Sequence, residues 1–228
     1  KLFENIAEHD DKSQVSEEDV KLFKSVTMGL MYLTNVRIDI LKECVILAMH
    51  SHCPTENSWK LLHRVMAYIQ NQPNHTINLG ADEATLSVYC DAGYADHNDS
   101  RSHTGIFITL GRNGGPILVK SKKQGLVTQS STESELLALT DGVKRAYPIA
   151  KLLVELGFMD EEKITVYQDN KSAIHLAKMG ESVNGKAKHF RVRYHFLKEM
   201  LNDGTIRIVY CSTDNMIADM FTKPMVGQ

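Results

Sequence analysis

With 228 residues, of which 43% are apolar, the chain fits one large domain or two small ones with an ordinary buried core. The formal net charge of −2 excludes a uniformly polycationic surface, so contact with nucleic acid would require a local basic patch. Four scattered cysteines without a C-x-x-C pair indicate reduced thiols in an intracellular protein, and no apolar run approaches the length of a membrane span.

The first part of the chain has a helical pattern. In residues 54–70, Thr55 is a candidate N-cap, and apolar side chains recur at spacings of three and four: Trp59, Leu62, Met66 and Ile69. A break near Thr34–Arg37 separates two more helical stretches, and residues 71–85 have the Asn, Pro and Gly content of a linker. We therefore predict a small helical segment over residues 1–80 and a second domain over residues 81–228.

The second domain begins with strand patterns and continues with alternating helices and strands. Three β-type runs come first, in TLSVYCDAGYA and in the hairpin GIFITLGRNGGPILVKSKK. The long amphipathic helix SSTESELLALTDGVKRAYPIAKLLVELGF follows, and Pro148 is expected to kink or split it. The remaining runs are KITVYQD, NKSAIHLAKMG, VRYHFLKEMLNDG, TIRIVYCST and NMIADMFTK. The order β-β-β-α-β-α-α-β-α predicts an α/β fold with a mixed five-stranded sheet and helices on its faces.

Two of the predicted strands end in the same phrase, SVYCD (87–91) and TVYQD (165–169). If these strands are parallel neighbours, which lie about 4.8 Å apart, then Asp91 and Asp169 are close neighbours in matching register. Two carboxylates at that distance repel each other unless a cation lies between them. Ordinary strand-terminal Asp residues that begin turns remain the alternative.

Two further acidic positions stand out. The long helix opens with overlapping capping boxes, Ser130-x-x-Glu133 and Thr132-x-x-Glu135, and capping alone could explain either Glu. Asp219 interrupts an otherwise apolar short helix, where a carboxylate requires a partner or a metal ion.

Five ordered phrases carry a resemblance to a known family: VYCDAGYADHNDSRSHTG, VKSKKQGLVTQSSTESELLAL, ITVYQDNKSAIHLAK, KHFRVRYHFLKE and IADMFTKPM. Together they resemble the ribonuclease H domain of copia-type retrotransposon polyproteins, over residues 86–225. The stretches LMYLTNVRIDI and PTENSWKLLHRVMAYIQ resemble, more loosely, the reverse transcriptase thumb or connection segment that precedes that domain. The resemblance implies a ribonuclease H-like fold.

The same resemblance implies a metal-dependent endonuclease that hydrolyses the RNA strand of RNA–DNA hybrids. The implied catalytic and metal-binding acids are Asp91, Glu135, Asp169 and Asp219, which leaves Glu133 as a capping or surface residue. Four such acids can hold two Mg²⁺ ions roughly 3.5–4 Å apart, with Mn²⁺ as a substitute. Asp219 is expected to be the outermost ligand and to bind through water.

The expected substrate surface combines basic and uncharged polar residues. Basic side chains could contact phosphates, and uncharged donors near the implied site could recognise 2′-hydroxyls. The candidate residues are Lys120, Lys122, Lys123, Gln129, Ser130, Ser131, Asn170, Lys188, His189, Arg191 and Arg193. A solvated helix face is the alternative explanation of the basic run around Lys188.

Partners and setting follow from the resemblance as well. The implied partners are an RNA–DNA hybrid and the polymerase part of the same polyprotein, since the chain has no Tyr-x-Asp-Asp polymerase motif. The implied setting is a cytoplasmic retroelement particle, with the nucleus as the alternative.

Two other functions stay open. One is another acid-dependent nuclease on the same sheet, although integrases carry their last acid on a late helix. The other is a catalytically silent connection or nucleic-acid-binding module.

Overall fold

In a computed structural model of the protein, residues 16–81, 83–179 and 188–223 are described, apart from the side chains of 188–190. The chain divides into two compact units between Ile77 and Asn78, and the second unit ends at Thr222. None of the described helices combines the length and apolarity that crossing a bilayer requires.

The first unit is helical, as predicted. It contains α1 (Glu17–Leu33), α2 (Leu41–Met49) and α3 (Glu56–Asn71), with a short 3₁₀-helix at Ile38–Ile40. Thr55 caps α3, because its hydroxyl accepts a hydrogen bond from the backbone N–H of Ser58. The apolar faces of the three helices meet in one core: Phe23, Leu30, Ile40, Cys44, Leu47, Leu61, Leu62 and Val65.

A buried ion pair holds the break between α1 and α2. The Arg37 guanidinium donates to both carboxylate oxygens of Asp39, with an Nε–Oδ1 distance of 3.0 Å and an Nη2–Oδ2 distance of 2.8 Å. Its Nη1 donates to the carbonyl of Gln72, and its charge lies over the Tyr68 ring. Both charged side chains are almost fully buried, so each depends on the other for compensation.

The second unit is built on a five-stranded sheet, which confirms the predicted architecture. The strands are β1 (Leu86–Gly93), β2 (His103–Leu110), β3 (Pro116–Lys123), β4 (Ile164–Gln168) and β5 (Ile206–Tyr210). Their order across the sheet is β3-β2-β1-β4-β5. The hairpin strands β1, β2 and β3 pair antiparallel, whereas β4 pairs parallel with both β1 and β5. The sheet is therefore mixed.

Helices α4 (Ser131–Glu155), α5 (Lys171–Met179) and α6 (Lys188–Asn202) contribute buried side chains to the same core as one face of this sheet. The close approach of α4 to β1 depends on Gly142, where an added Cβ would lie 2.3 Å from the Sγ of Cys90. The core that results contains Val88, Ile106, Leu136 and Val166, all fully buried.

Three predicted helices differ from the observed ones. Helix α4 continues through Pro148 without being split, because Pro148 is exposed and water can satisfy the carbonyl that loses its hydrogen bond. Helix α6 begins at Lys188 and not near Val192, so the basic residues belong to its first turns. The last predicted helix is only a five-residue 3₁₀-helix, Ile217–Phe221, preceded by another at Thr213–Asn215.

Aromatic rings cover part of the other face of the sheet. The Tyr89 and Tyr167 rings stack with centroids 4.5 Å apart, and Tyr89 meets Phe107 edge-on. Phe107 in turn stacks on Phe221 of the 3₁₀-helix, with centroids 6.3 Å apart. This ladder anchors the Ile217–Phe221 segment, and therefore Asp219, against the sheet.

Candidate active site

The register of the parallel strands β1 and β4 brings Asp91 and Asp169 together at the C-terminal ends of these two strands. Tyr89 is the direct partner of Tyr167 in the parallel β1–β4 pair, and each aspartate follows its tyrosine by two residues. Asp169 comes directly after β4, whereas Asp91 lies inside β1, opposite Gly105 of β2. Asp91 therefore does not begin a turn, which removes the simpler explanation of this residue.

Glu135 completes a cluster of three carboxylates. It lies on α4 and is buried, as is Asp91, while Asp169 is partly exposed. One carboxylate oxygen from each of the three acids lies within 4.8 Å of the others. This is the spacing at which the three side chains could share one cation.

The hydrogen bonds at the start of α4 distinguish the roles of Glu133 and Glu135. Ser130 is the N-cap of α4, and its hydroxyl accepts from the backbone N–H of Glu133. The Glu133 carboxylate accepts from the backbone N–H of Gln129 at 2.7 Å. Glu133 is therefore engaged at the helix start, and Glu135, two residues later, lies among the acids.

The electrostatics of the cluster are unfavourable without a cation. Burial raises the pKa of Glu135 to about 9, and the charges of Asp91 and Asp169 add to the rise. A hydrogen bond from Gln168 opposes it only in part, with Nε2 3.3 Å from Oε2 of Glu135. At neutral pH the metal-free protein therefore holds a proton on Glu135. A largely buried set of closely spaced carboxylate oxygens fits a hard divalent cation.

The fourth predicted acid, Asp219, lies on the 3₁₀-helix Ile217–Phe221. Its charge also contributes to the raised pKa of Glu135, so it acts electrostatically on the cluster. Its carboxylate is not one of the three that lie within 4.8 Å of one another. The arrangement is thus three closely spaced acids with a fourth acid on a separate element.

Each of the three clustered acids accepts a hydrogen bond from a side chain that the sequence did not single out. Gln168 donates to Glu135, and its own Oε1 accepts from the backbone N–H of Asn170, which fixes the orientation of the amide. The other two donors are Thr213, 2.9 Å from Asp169 Oδ2, and Thr222, whose hydroxyl donates to Asp91 Oδ2. No local sequence pattern predicts these pairs, because the two threonines are 44 and 131 residues from their acceptors.

The predicted basic group on β3 is divided between the two faces of the strand. Side chains alternate along a strand, so Lys120 and Lys122 share one face and Lys123 lies on the other. The Lys123 ammonium pairs with Asp99 at 2.8 Å. Burial lowers the pKa of Lys120, and the charges of Arg145 and Lys122 lower it further. Arg145, which the sequence did not suggest, therefore belongs to this basic patch, and its guanidinium also pairs with Asp141 at 3.4 Å.

The predicted basic run at α6 is only partly described. Arg191 is exposed and Arg193 half-buried on the first turns of the helix. Lys188 and His189 lie on the same helix, and their side chains fall outside the described part of the structure.

Two of the predicted uncharged donors cap helices. Asn170 Oδ1 accepts from the backbone N–H of Ala173 at the start of α5, as the Ser130 hydroxyl does at α4. Accepting these bonds leaves the amide hydrogens of Asn170 and the hydroxyl hydrogen of Ser130 able to donate. Gln129 and Ser131 have exposed side chains at the start of α4.

No family model matches the chain. The chain is 33% identical over 205 residues to the retrovirus-related Pol polyprotein from transposon RE2 of Arabidopsis thaliana, covering 89% of this chain. It is 32% identical over 203 residues to that from transposon TNT 1-94 of Nicotiana tabacum, covering 88% of this chain. The chain spans only 14% and 15% of these polyproteins.

A shorter relative has a different name. The secreted RxLR effector protein 161 of Plasmopara viticola is 34% identical over 127 residues, which cover 54% of this chain and 88% of that protein.

Among solved structures, the foamy viral protease–reverse transcriptase in complex with an RNA/DNA hybrid matches with a TM-score of 0.52 at 15% identity. That match covers 100% of this chain and 28% of the viral chain, and it shows a shared fold. A ribonuclease H1 isolated from compost matches 60% of this chain, with 92% of its own length, at a TM-score of 0.45 and 18% identity.

Proposed function

Because this chain belongs to the family of retrovirus-related Pol polyproteins of copia-type transposons, we propose that it is their ribonuclease H, a metal-dependent endonuclease for the RNA strand of RNA–DNA hybrids. The observation that carries the proposal is the close approach of Asp91, Glu135 and the partly exposed Asp169, together with the raised pKa of Glu135. Three carboxylates that disfavour one another in the metal-free protein are the ligand set that a divalent cation requires.

Asp91, Glu135 and Asp169 would hold Mg²⁺ or Mn²⁺, with Asp219 as an outer ligand. When bound, the ions would lower the pKa of a bound water and stabilise charge on the leaving 3′ oxygen. Glu135 has to release its proton before it can serve as a ligand, since its pKa in the metal-free protein is about 9. The expected products are a 5′-phosphate and a 3′-hydroxyl.

The substrate surface would use basic and uncharged polar side chains that reach the surface of the same unit. Arg191 on α6 and the patch of Lys120, Lys122 and Arg145 would contact phosphates, whose negative charge dominates affinity for nucleic acid. Gln129 and Ser131 at the entry to α4 are candidates for recognition of the RNA 2′-hydroxyl. The further partner we propose is the polymerase part of the same polyprotein, in a cytoplasmic retroelement particle.

A second candidate is a nucleic-acid-binding module without catalysis. The observation that favours it is the relative named as a secreted effector, which matches 54% of this chain and is not named as a polyprotein. In that case the fold would bind a hybrid without cleaving it.

The test is a panel of labelled duplexes of one sequence: an RNA–DNA hybrid, double-stranded RNA and double-stranded DNA, each incubated with Mg²⁺. We expect cleavage of the RNA strand of the hybrid alone. Asp169→Asn is the matched control for a contaminating nuclease, because it removes one carboxylate of the cluster. Hybrid binding without cleavage would support the silent module, and equal cleavage of all three duplexes would contradict a ribonuclease H.

A further inference from the structure

The fourth acid lies on an element that cannot fix its own position. Asp219 is on the five-residue 3₁₀-helix Ile217–Phe221, which follows a second short 3₁₀-helix, Thr213–Asn215. Short 3₁₀-helices have poorer hydrogen-bond geometry than α-helices and add little stability of their own. The position of Asp219 relative to the other acids therefore depends on contacts between this segment and the sheet.

Contacts from β2 and β3 to the backbone of the Ile217–Phe221 segment attach it in part to the sheet. The Ser121 hydroxyl of β3 donates to the carbonyl of Phe221 at 2.8 Å, and His103 Nε2 lies 2.7 Å from the same hydroxyl. At Gly105 of β2, an added Cβ would lie 2.6 Å from the carbonyl oxygen of Ala218. These contacts hold the segment against β2 and β3, but none of them involves an acid of the cluster.

The side chain of Thr222, directly after the Ile217–Phe221 segment, joins this segment to the acid cluster. The Thr222 hydroxyl lies within hydrogen-bonding distance of two oxygens, Asp91 Oδ2 and the Asp219 carbonyl. A hydroxyl has one hydrogen to donate, and the charged carboxylate is the stronger acceptor. Thr222 is only 1% exposed, so water does not compete for either bond.

We propose that Thr222 is a positioning residue, whose hydroxyl fixes the Asp91 carboxylate and ties it to the segment that carries Asp219. This inference rests on the proposed function of the acid cluster as a metal site. The hydrogen bond restricts the rotation of the Asp91 carboxylate, and the backbone N–H of Thr222 donates to Asp219 O at 3.1 Å. One residue therefore contacts both acids, which come from elements far apart in sequence.

The alternative is that Thr222 only closes a turn. Its backbone N–H bond to Asp219 needs no hydroxyl, so a purely structural role predicts that the side chain can change without effect on metal binding. A positioning role predicts that the hydroxyl matters and that its methyl group does not.

The experiment compares Thr222→Ser, Thr222→Ala and Thr222→Val with the wild type, all stripped of metal first. Mn²⁺ affinity is measured by electron paramagnetic resonance, kcat and KM are measured on an RNA–DNA hybrid, and thermal unfolding reports folding. Thr109→Val is the control, since Thr109 is a buried threonine of β2 whose hydroxyl bonds only the neighbouring Leu110 carbonyl among its described contacts.

We expect Thr222→Ala and Thr222→Val to weaken Mn²⁺ binding and to lower kcat about 10- to 100-fold, the range typical of residues that orient metal ligands. KM for the hybrid should stay unchanged, because Thr222 is buried and does not contact substrate. Thr222→Ser, which keeps the hydroxyl, and Thr109→Val should both remain close to wild type.

Wild-type Mn²⁺ affinity in Thr222→Ala would overturn the inference, and so would a Thr222→Ser protein as impaired as Thr222→Ala. If Thr222→Val does not fold, the Ser and Ala variants decide the question. Failure of both Ala and Val to fold would make Thr222 a structural residue. A wild type that binds Mn²⁺ without cleaving the hybrid contradicts the proposed function alone, and the Mn²⁺ affinities still test Thr222. A wild type that binds no Mn²⁺ overturns both.

Discussion

Tyr89 and Tyr167 are direct partners across the parallel β1–β4 pair, and their rings stack with centroids 4.5 Å apart. This stacking favours the observed register of β1 and β4, because a shift of one strand by one residue would put the two rings on opposite faces of the sheet. Asp91 and Asp169 follow these tyrosines by two residues, so the same register places both carboxylates at the C-terminal ends of β1 and β4. The repeated Val-Tyr-x-Asp phrase therefore corresponds to two neighbouring strands in which the tyrosines pair and the aspartates lie close together.

The first prediction concerns the stability of the metal-free protein against pH. The folded-state pKa of Glu135, about 9, is above the usual value of 4.5, so folding stabilises its protonated form. That contribution is complete below pH 4.5 and is lost as the pH rises towards 9, by at most about 1.4 kcal/mol per pH unit. Urea unfolding with EDTA at pH 6 and pH 8.5 should show lower stability at the higher pH.

Glu135→Gln is the matched control for this effect, because its amide cannot ionise. The variant should lose most of the pH dependence across this range and should be more stable than wild type at pH 8.5. An identical pH dependence in wild type and Glu135→Gln would mean that another group is responsible.

The second prediction is that the four acids contribute unequally to cleavage. Asp91→Asn, Glu135→Gln and Asp169→Asn each remove a carboxylate from the cluster of three and should abolish nearly all hybrid cleavage. Asp219→Asn should leave more residual activity, since Asp219 lies outside that cluster. Rates should be measured under single-turnover conditions, so that binding and product release do not mask the chemical step.

Glu133→Gln provides the internal control, because Glu133 accepts a hydrogen bond from the Gln129 backbone and an amide oxygen can still accept it. Its cleavage rate should be close to wild type. Loss of activity in Glu133→Gln together with retained activity in Glu135→Gln would show that the catalytic glutamate has been assigned to the wrong position.

The sequence predicted the strands of the sheet, and the structure brings three of the four predicted acids close together, for identifiable physical reasons. Alternating apolar residues around Val88 and Ile106 are a local signal of strands, and the helix cap at Ser130 is local as well. The hydrogen bonds from Thr213 and Thr222 could not be predicted, since each links residues far apart in sequence. The predicted split at Pro148 did not occur, because the effect of a proline depends on solvent exposure, which only packing determines.

The third prediction concerns the buried ion pair of the first unit. Arg37→Met should destabilise the protein by about 3–5 kcal/mol, because it leaves the buried Asp39 carboxylate uncompensated. The double variant Arg37→Met/Asp39→Leu should recover a large part of that loss, since it removes both charges. Urea unfolding of the single and double variants measures the coupling, and equal losses in Arg37→Met and the double variant would contradict it.

The fourth prediction concerns the basic residues at the start of α6. Neutralising Lys188, Arg191 and Arg193 to Ala should raise KM for the hybrid far more than it lowers kcat, because phosphate contacts are made equally in the ground and transition states. The slope of log K against log salt should decrease by about 0.9 for each lost contact on a duplex. Binding should be measured in an Asp169→Asn background, so that the substrate stays intact.

The basic patch of Lys120, Lys122 and Arg145 is the alternative phosphate-binding surface, and its variants are compared with the α6 triple variant. Parallel salt plots for the triple variant and its parent would mean that the α6 residues face solvent. Replacing Lys120, Lys122 and Arg145 with Ala would then be expected to decrease the slope, because this patch would be the phosphate contact.

The most direct test of the account is cleavage of a hybrid labelled on its RNA strand, by protein stripped with EDTA and then supplied with Mg²⁺, Mn²⁺ or Ca²⁺. The clustered acids predict no cleavage in EDTA and recovery with Mg²⁺ or Mn²⁺. Ca²⁺ should bind without supporting turnover, because it is larger and tolerates looser geometry. Full cleavage in EDTA would contradict a metal-dependent site built on Asp91, Glu135 and Asp169.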